Sequence, residues 1–141
     1  MGEEEKSQTQ TQSNNSDSLR KTIEFLSSLI SLSHSIKVFA AKWQSIRGKL
    51  EELSSGLGAL ESCGSGENSA VAELVLSLMA TIGECYDLAR RCVDLSYSGK
   101  LLMQSHLDVV AARLDEHSRK LAEIYDAEVL SRGLGSRGVS A

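Results

Sequence analysis

Two long segments of the sequence carry apolar residues at an unbroken heptad spacing, and this pattern most narrows the folds open to the chain. In both segments the apolar positions are separated by steps of three and four residues, which places them along one face of a helix. The first set is Ile36, Phe39, Trp43, Ile46, Leu50, Leu53, Leu57 and Leu60, and the second is Val71, Leu74, Leu78, Thr81, Cys85, Leu88, Cys92 and Leu95. A seam of this length predicts helices that pack lengthwise against other helices.

A shorter repeat of the same kind precedes the first set. The apolar positions are Leu19, Ile23, Leu26 and Ile30, and either Asp17 or Ser18 can cap the first turn of that helix. Residues 31–35 (SLSHS) interrupt the pattern, because short hydroxyl side chains compete for backbone hydrogen bonds. The sequence leaves open whether this interruption is a turn or a kink.

A fourth repeat follows the second set. We expect Gly99 to end the third helix, and a new helix to begin after Ser105. Its apolar positions are Leu107, Val110, Leu114, His117, Leu121 and Ile124. Residues 63–68 (CGSGEN) are the predicted loop between the second and third helices.

These elements predict an all-α protein, an antiparallel four-helix bundle over residues 18–130. Residues 1–17 form a polar tail without apolar residues after Met1, and residues 131–141 are rich in Gly and Ser, so both tails are predicted to be disordered. The predicted core consists of Phe39, Trp43, Ile46, Leu50, Leu53, Leu78, Cys85, Leu88, Cys92, Leu107, Leu114 and Leu121.

Composition excludes several classes of protein. Proline is absent and only 4% of residues are aromatic, which argues against a β-sandwich. A net charge of −4 makes nucleic acid an unlikely partner, and the apolar runs are too short for a membrane span of about 20 residues. Three cysteines and no signal-peptide pattern predict a reducing location, in the cytoplasm, the nucleus or both.

No catalytic chemistry is predicted. Residues 133–138 match the G-x-G-x-x-G spacing, but a helical segment and not a strand precedes them, so no dinucleotide site is expected. Cys85, Cys92 and His117 lie on helix seams without C-x-x-C or H-x-x-x-H spacing, and we interpret them as core residues rather than metal ligands. We therefore predict no catalytic, cofactor-binding or metal-binding residues, and a protein that is not an enzyme.

Charged and aromatic residues off the seams define a candidate interaction surface. Two partners fit it: another protein, or the anionic headgroups of a membrane surface. Tyr97 has two interpretations. It belongs to a recognition corner, or, more simply, it lies in a helix-terminating turn and its ring packs on the bundle. Exposed seam residues would also allow a homodimer. The candidate surface consists of Lys42, Arg47, Arg90, Arg91, Tyr97 and Lys100.

Three stretches carry a resemblance to a known family: residues 42–43 (KW), 88–92 (LARRC) and 96–105 (SYSGKLLMQS). They resemble the N-terminal helical domain of plant armadillo-repeat proteins, which is similar to the domain preceding the U-box in plant U-box ubiquitin ligases. The resemblance implies a non-catalytic interaction or regulatory module whose partner is a protein, with the armadillo repeats of related chains as one candidate. It also implies repeats downstream of residue 141, so we expect this chain to be a truncated product, a splice form or a fragment.

Overall fold

A computed structural model of the chain describes residues 2–64 and 68–140, with side chains described for residues 17–64 and 68–131. Within that part of the chain all regular structure is helical, in four helices: α1 (Gly2–Ser33), α2 (Ala40–Ser62), α3 (Ser69–Asp94) and α4 (Lys100–Ser140). The predicted all-α four-helix bundle is confirmed. The tails predicted to be disordered fall mainly on residues whose side chains lie outside the described part, so that statement stays a prediction.

Two of the three pairs of consecutive helices, α1–α2 and α3–α4, form antiparallel hairpins. Arg20 pairs with Glu61 near the start of the first hairpin, and Arg47 contacts Ser33 near its turn. In the second hairpin Asn68 is hydrogen-bonded to Glu128, and Thr81 is hydrogen-bonded to His117. In both hairpins the residue numbers of contacting partners run in opposite directions, as in the predicted antiparallel packing.

The hairpins themselves pack side by side, with α2 against α4 and α1 against α3. Lys42 pairs with Asp108 at 2.6 Å and Lys49 pairs with Asp115 at 2.7 Å. In each pair the two partners are separated by 66 residues. Because the separation is the same for both pairs, α2 and α4 run parallel. Because each hairpin is antiparallel, α1 and α3 are parallel as well. Helices α2 and α3 lie diagonally across the bundle, so their described backbones do not approach each other closely.

The seams of all four helices meet in one core. Every predicted core residue is buried except Phe39, which is partly buried. The indole of Trp43 is fully buried, and its Nε1–H donates a hydrogen bond to Cys92 Sγ at 3.4 Å. This bond joins α2 to the diagonal helix α3 through the centre of the bundle.

The interruption between α1 and α2 is a turn. Ser33 donates from its Oγ to the carbonyl of Ile30, so the side chain takes a backbone acceptor at the end of α1. The prediction that Ile36 and Phe39 lie in the second helix is wrong. Ile36 is buried in the linker, and Phe39 precedes the first turn of α2 with a left-handed backbone at φ 52°.

The boundaries around the α3–α4 linker also differ from those predicted. The side chain of Asn68 caps α3 by accepting the N–H of Ala70, and α3 ends at Asp94 and not at Gly99. Gly99 instead precedes α4, where its carbonyl accepts the N–H of Met103. The helix begins before Ser105 because Met103, buried at 2% exposure, extends the α4 seam by one more turn.

Candidate interaction surface

The two linkers, residues 34–39 and 95–99, lie at the same end of the bundle, which we call the linker end. The ring of Phe39 in one linker packs on the ring of Tyr97 in the other, with centroids 5.4 Å apart and planes tilted by 60°. Such a tilted pair is a favourable aromatic contact. It ties the two hairpins together, in agreement with the simpler reading of Tyr97 as part of a packed turn.

Two of the predicted surface residues, Arg47 and Lys42, form hydrogen bonds or ion pairs with other residues of the same chain. Arg47 donates from Nε to Ser33 Oγ at 2.8 Å and from a terminal nitrogen to the Ser33 carbonyl at 3.2 Å. Lys42 is paired with Asp108. A guanidinium at the carboxyl end of α1 suits the partial negative charge of the helix terminus. Lys42 and Arg47 therefore brace the fold.

The remaining basic residues of the predicted surface are exposed. Arg90 and Arg91 lie in the last two turns of α3, where Arg91 pairs with Asp87 at 3.1 Å. Lys100 is the first residue of α4. Asp94 is exposed at the end of α3 as well, so the charge of this region is mixed rather than uniformly basic.

Sequence reasoning missed three exposed leucines that accompany these charges. Leu95, Leu101 and Leu102 expose 64%, 82% and 53% of their surface. The expectation that Leu95 continues the buried seam of α3 is wrong. Its backbone is left-handed at φ 58°, which turns the chain out of the helix and places the side chain in solvent. The one available signal was the pair of leucines at 101–102, which lies outside the heptad positions.

The left-handed backbone at Leu95 is costly. Helices that end in this conformation usually have glycine there, because a Cβ carbon crowds the following carbonyl by about 1–2 kcal/mol. A large exposed leucine in a strained position contributes little to the fold. Strain of this kind, together with exposed apolar surface, is typical of positions that serve contact with another molecule. We call Leu95, Tyr97, Lys100, Leu101 and Leu102 the linker-end surface.

The cysteines and the histidine considered as metal ligands are core residues. Burial and, to a smaller extent, the neighbouring Cys92 together raise the pKa of the Cys85 thiol to about 12. His117 is hydrogen-bonded to Thr81 Oγ1 at 2.8 Å. Among the side chains described, no group of three or more His, Cys, Asp or Glu residues is placed to hold a metal ion. Cys85 and Cys92 are therefore buried thiols of the core, and His117 is a core histidine whose Nδ1 has no hydrogen-bond partner among the described residues.

One described helix meets the length and composition of a membrane span. An 18-residue window of α3 has a mean hydropathy of 1.3, and 39% of that window is buried in the bundle. The core helix of a soluble protein passes the same test, and α3 packs against both α1 and α4. Its apolar character is accounted for in part by the two neighbours it contacts.

The fold and the linker-end surface define a small four-helix module. The chain matches the family described as a domain of unknown function (DUF7032) over residues 20–129, and it belongs to that family. The matched segment falls inside the predicted helical domain. No curated protein and no solved structure matches the chain. The resemblance to armadillo-repeat proteins is not tested by this match and stays a prediction.

Proposed function

We propose that this chain is a non-catalytic protein-interaction module that contacts its partner through the linker-end surface. The observation that carries the proposal is the exposure of Leu95, Leu101 and Leu102 beside a strained helix end. Burying a leucine side chain contributes about 1.5–3 kcal/mol, so two or three of them supply the centre of a specific interface. The proposed location is the cytoplasm or the nucleus.

The proposed partner is a protein, with the armadillo repeats of related chains as the first candidate. Arg90, Arg91 and Lys100 are interspersed with Asp87 and Asp94 in this region. A mixed pattern suits another protein surface better than a uniformly anionic membrane. The resemblance at residues 96–105, which contain most of the linker-end surface, is the further reason for this choice.

A peripheral membrane protein is the second candidate function. Exposed leucines flanked by Lys37, Arg90 and Lys100 are also what an amphipathic membrane-contacting surface presents. The acidic residues in the same turns weaken this alternative. Flotation with phosphatidylserine vesicles at low salt separates the two, because the protein-interaction proposal expects no dependence on anionic lipid.

The direct test is calorimetric titration of the purified chain with a purified armadillo array from a plant protein that carries this helical domain. We expect binding, and at least a tenfold loss of affinity when Leu101→Ser and Leu102→Ser are combined. Leu76→Ser is the matched control, since Leu76 is 72% exposed in the middle of α3, away from the linker end. An absence of binding, or an equal loss with Leu76→Ser, would overturn the proposal.

A further inference from the structure

Salt bridges connect the parallel helices α2 and α4 at a regular spacing, and this pattern does not continue in the second half of the pair. Lys42 with Asp108 and Lys49 with Asp115 bridge the two helices at successive heptad positions. The next pair in this register is Gly56 with Ala122, which has almost no side chain to bridge the gap. The salt-bridge pattern between α2 and α4 therefore ends about two turns below Lys49, on the side away from the linker end.

A groove of about 390 Å³ opens at that position. Its floor is apolar and is formed by Gly56, Ala59, Leu121 and Ala122. The groove is close to the size of a small ligand pocket and is open along the two helices. Its shape suits one inserted side chain with a long aliphatic stem.

The polar lining of this groove is acidic. Glu52 on α2 and Asp126 on α4 are both exposed, and no basic side chain in the described part of the chain pairs with either. The neighbouring basic residues are already engaged, Lys49 with Asp115 and Arg119 with Glu116. Two carboxylates on opposite walls thus face the groove without compensating charge.

Two further groups in the lining suit a cationic guest. Tyr125, 38% exposed, contributes a ring face to the wall. Ser118 also lines the groove, and its buried Oγ has no hydrogen-bond partner among the described residues. An arginine suits the carboxylate and the ring at one end of this groove, because its guanidinium donates to carboxylates and stacks on aromatic rings while its stem lies on apolar surface.

We propose that the α2–α4 groove binds an arginine presented on the apolar face of a helical segment from a partner protein. The aliphatic stem covers Gly56 and Ala122, and the guanidinium lies at the end of the groove formed by Tyr125 and Asp126, with Glu52 about two turns away at the other end. This surface is separate from the linker end, so it gives the module a second point of contact, for a partner that presents an arginine. The groove between α1 and α3, lined by Phe25, Met79, Ile82 and Tyr86, carries no charge that would identify its occupant.

The test is an NMR titration of the ¹⁵N-labelled full chain with an amphipathic alanine–leucine peptide that carries arginine on its apolar face. We expect amide shifts centred on Gly56, Ser118 and Ala122 at millimolar peptide. The same peptide with glutamate in place of arginine should produce none of them. Lysine in place of arginine should weaken binding, because a lysine ammonium lacks the planar donor fork.

Charge variants decide whether the groove is responsible. Glu52→Gln combined with Asp126→Asn should weaken the arginine peptide about three- to tenfold. Glu51→Gln combined with Glu123→Gln removes the same charge from exposed positions outside the groove and should leave affinity unchanged. Ala122→Leu, which fills the groove without changing charge, should also abolish the shifts.

Three outcomes would overturn the proposal. These are no shifts at millimolar arginine peptide, shifts that map to the linker end, or equal weakening by both charge variants. None of them bears on binding of the armadillo array at Leu101 and Leu102, so failure here and failure of the proposed function are distinguishable.

Discussion

At the scale of single residues, charged side chains off the apolar seam are not always free to contact a partner. Arg47 and Lys42 lie off the apolar seam of α2, as solvent-facing residues do, yet both join α2 to other elements. Their partners, Ser33 and Asp108, are distant enough in sequence that helix periodicity carries no information about the contact. The partner of a long flexible side chain depends on how the helices are arranged around one another.

His117 leads to a prediction about pH. Its ring is buried and hydrogen-bonded to Thr81, and burial lowers the pKa of His117 below its ordinary value of 6.5. Lys120 and Arg113 lower it further, and Glu116 opposes them. Because the folded state holds the neutral ring, the stabilisation is complete above pH 6.5 and is lost as the pH falls through the lowered native pKa.

The unfolding free energy of the wild-type protein should fall between about pH 7.5 and pH 5, and we expect His117→Gln to make this fall smaller. Urea unfolding at several pH values measures this difference. His106→Gln is the control, since His106 is exposed on α4. If His117→Gln shows the same pH dependence as the wild-type protein, the buried ring does not carry the effect.

At the scale of the helix, the end of α3 yields a prediction about strain. Leu95→Gly should raise the unfolding free energy by about 1 kcal/mol, because glycine adopts the left-handed conformation without a clash. The same change should weaken binding at the linker-end surface. Thermal unfolding and the armadillo-array titration measure the two effects. A Leu95→Gly protein that is less stable than wild type would show that Leu95 packs on the bundle.

The glycines of α2 give a second prediction at this scale. Gly48→Ala should stabilise the protein by about 1 kcal/mol, since an added Cβ has nothing within 4 Å and alanine favours the helix. At Gly56 an added Cβ would lie 2.5 Å from Leu121 Cδ2. Leu121 is buried and must change its packing, so Gly56→Ala should be less stable than Gly48→Ala by about 1–3 kcal/mol.

Chemical denaturation of the two variants side by side checks this difference, because both changes gain the same helix propensity and differ only in the space available. Equal stabilisation by both alanines would mean that Leu121 rearranges freely. The groove proposed as a binding site would then be less rigid than its geometry indicates.

Helix boundaries illustrate what local sequence determines and what it does not. Helix α3 begins at Ser69, directly after the predicted loop 63–68, because the side chain of Asn68 caps the adjacent backbone. The predicted start of α4 after Ser105 is wrong because the buried seam extends back to Met103. The Gly99 carbonyl, which accepts the N–H of Met103, precedes the first turn of the helix. The left-handed residues Phe39 and Leu95 could not be anticipated, because non-glycine residues seldom adopt that conformation.

At the scale of the whole molecule, the parallel arrangement of α2 and α4 is the least obvious feature. Carbodiimide coupling should join Lys42 to Asp108 and Lys49 to Asp115, since each pair is in direct contact. Mass spectrometry of the digested protein identifies the joined peptides. Lys49→Gln should remove one cross-link and keep the other. Cross-links from α2 to acidic residues of α3 in their place would contradict the observed order of helices.

The fold class was predictable and the helix order was not, for the same reason. A heptad seam such as the one from Trp43 to Leu60 indicates that one face of the helix is buried, and several such seams predict an all-α bundle. Each seam is equally apolar, so it does not specify which neighbour covers it. The candidate surface was predicted partly: Tyr97 and Lys100 were identified, whereas Leu95 depended on a backbone torsion that periodicity does not encode.

The side-by-side packing of the two hairpins has a consequence for how the protein folds. Half of the helix neighbours, α1 with α3 and α2 with α4, come from distant parts of the chain, and the Lys42–Asp108 and Lys49–Asp115 contacts each close a loop of 66 residues. Closing such loops costs chain entropy before any stabilising contact forms. We therefore expect slower refolding than in a bundle whose helices pack only on their immediate predecessors.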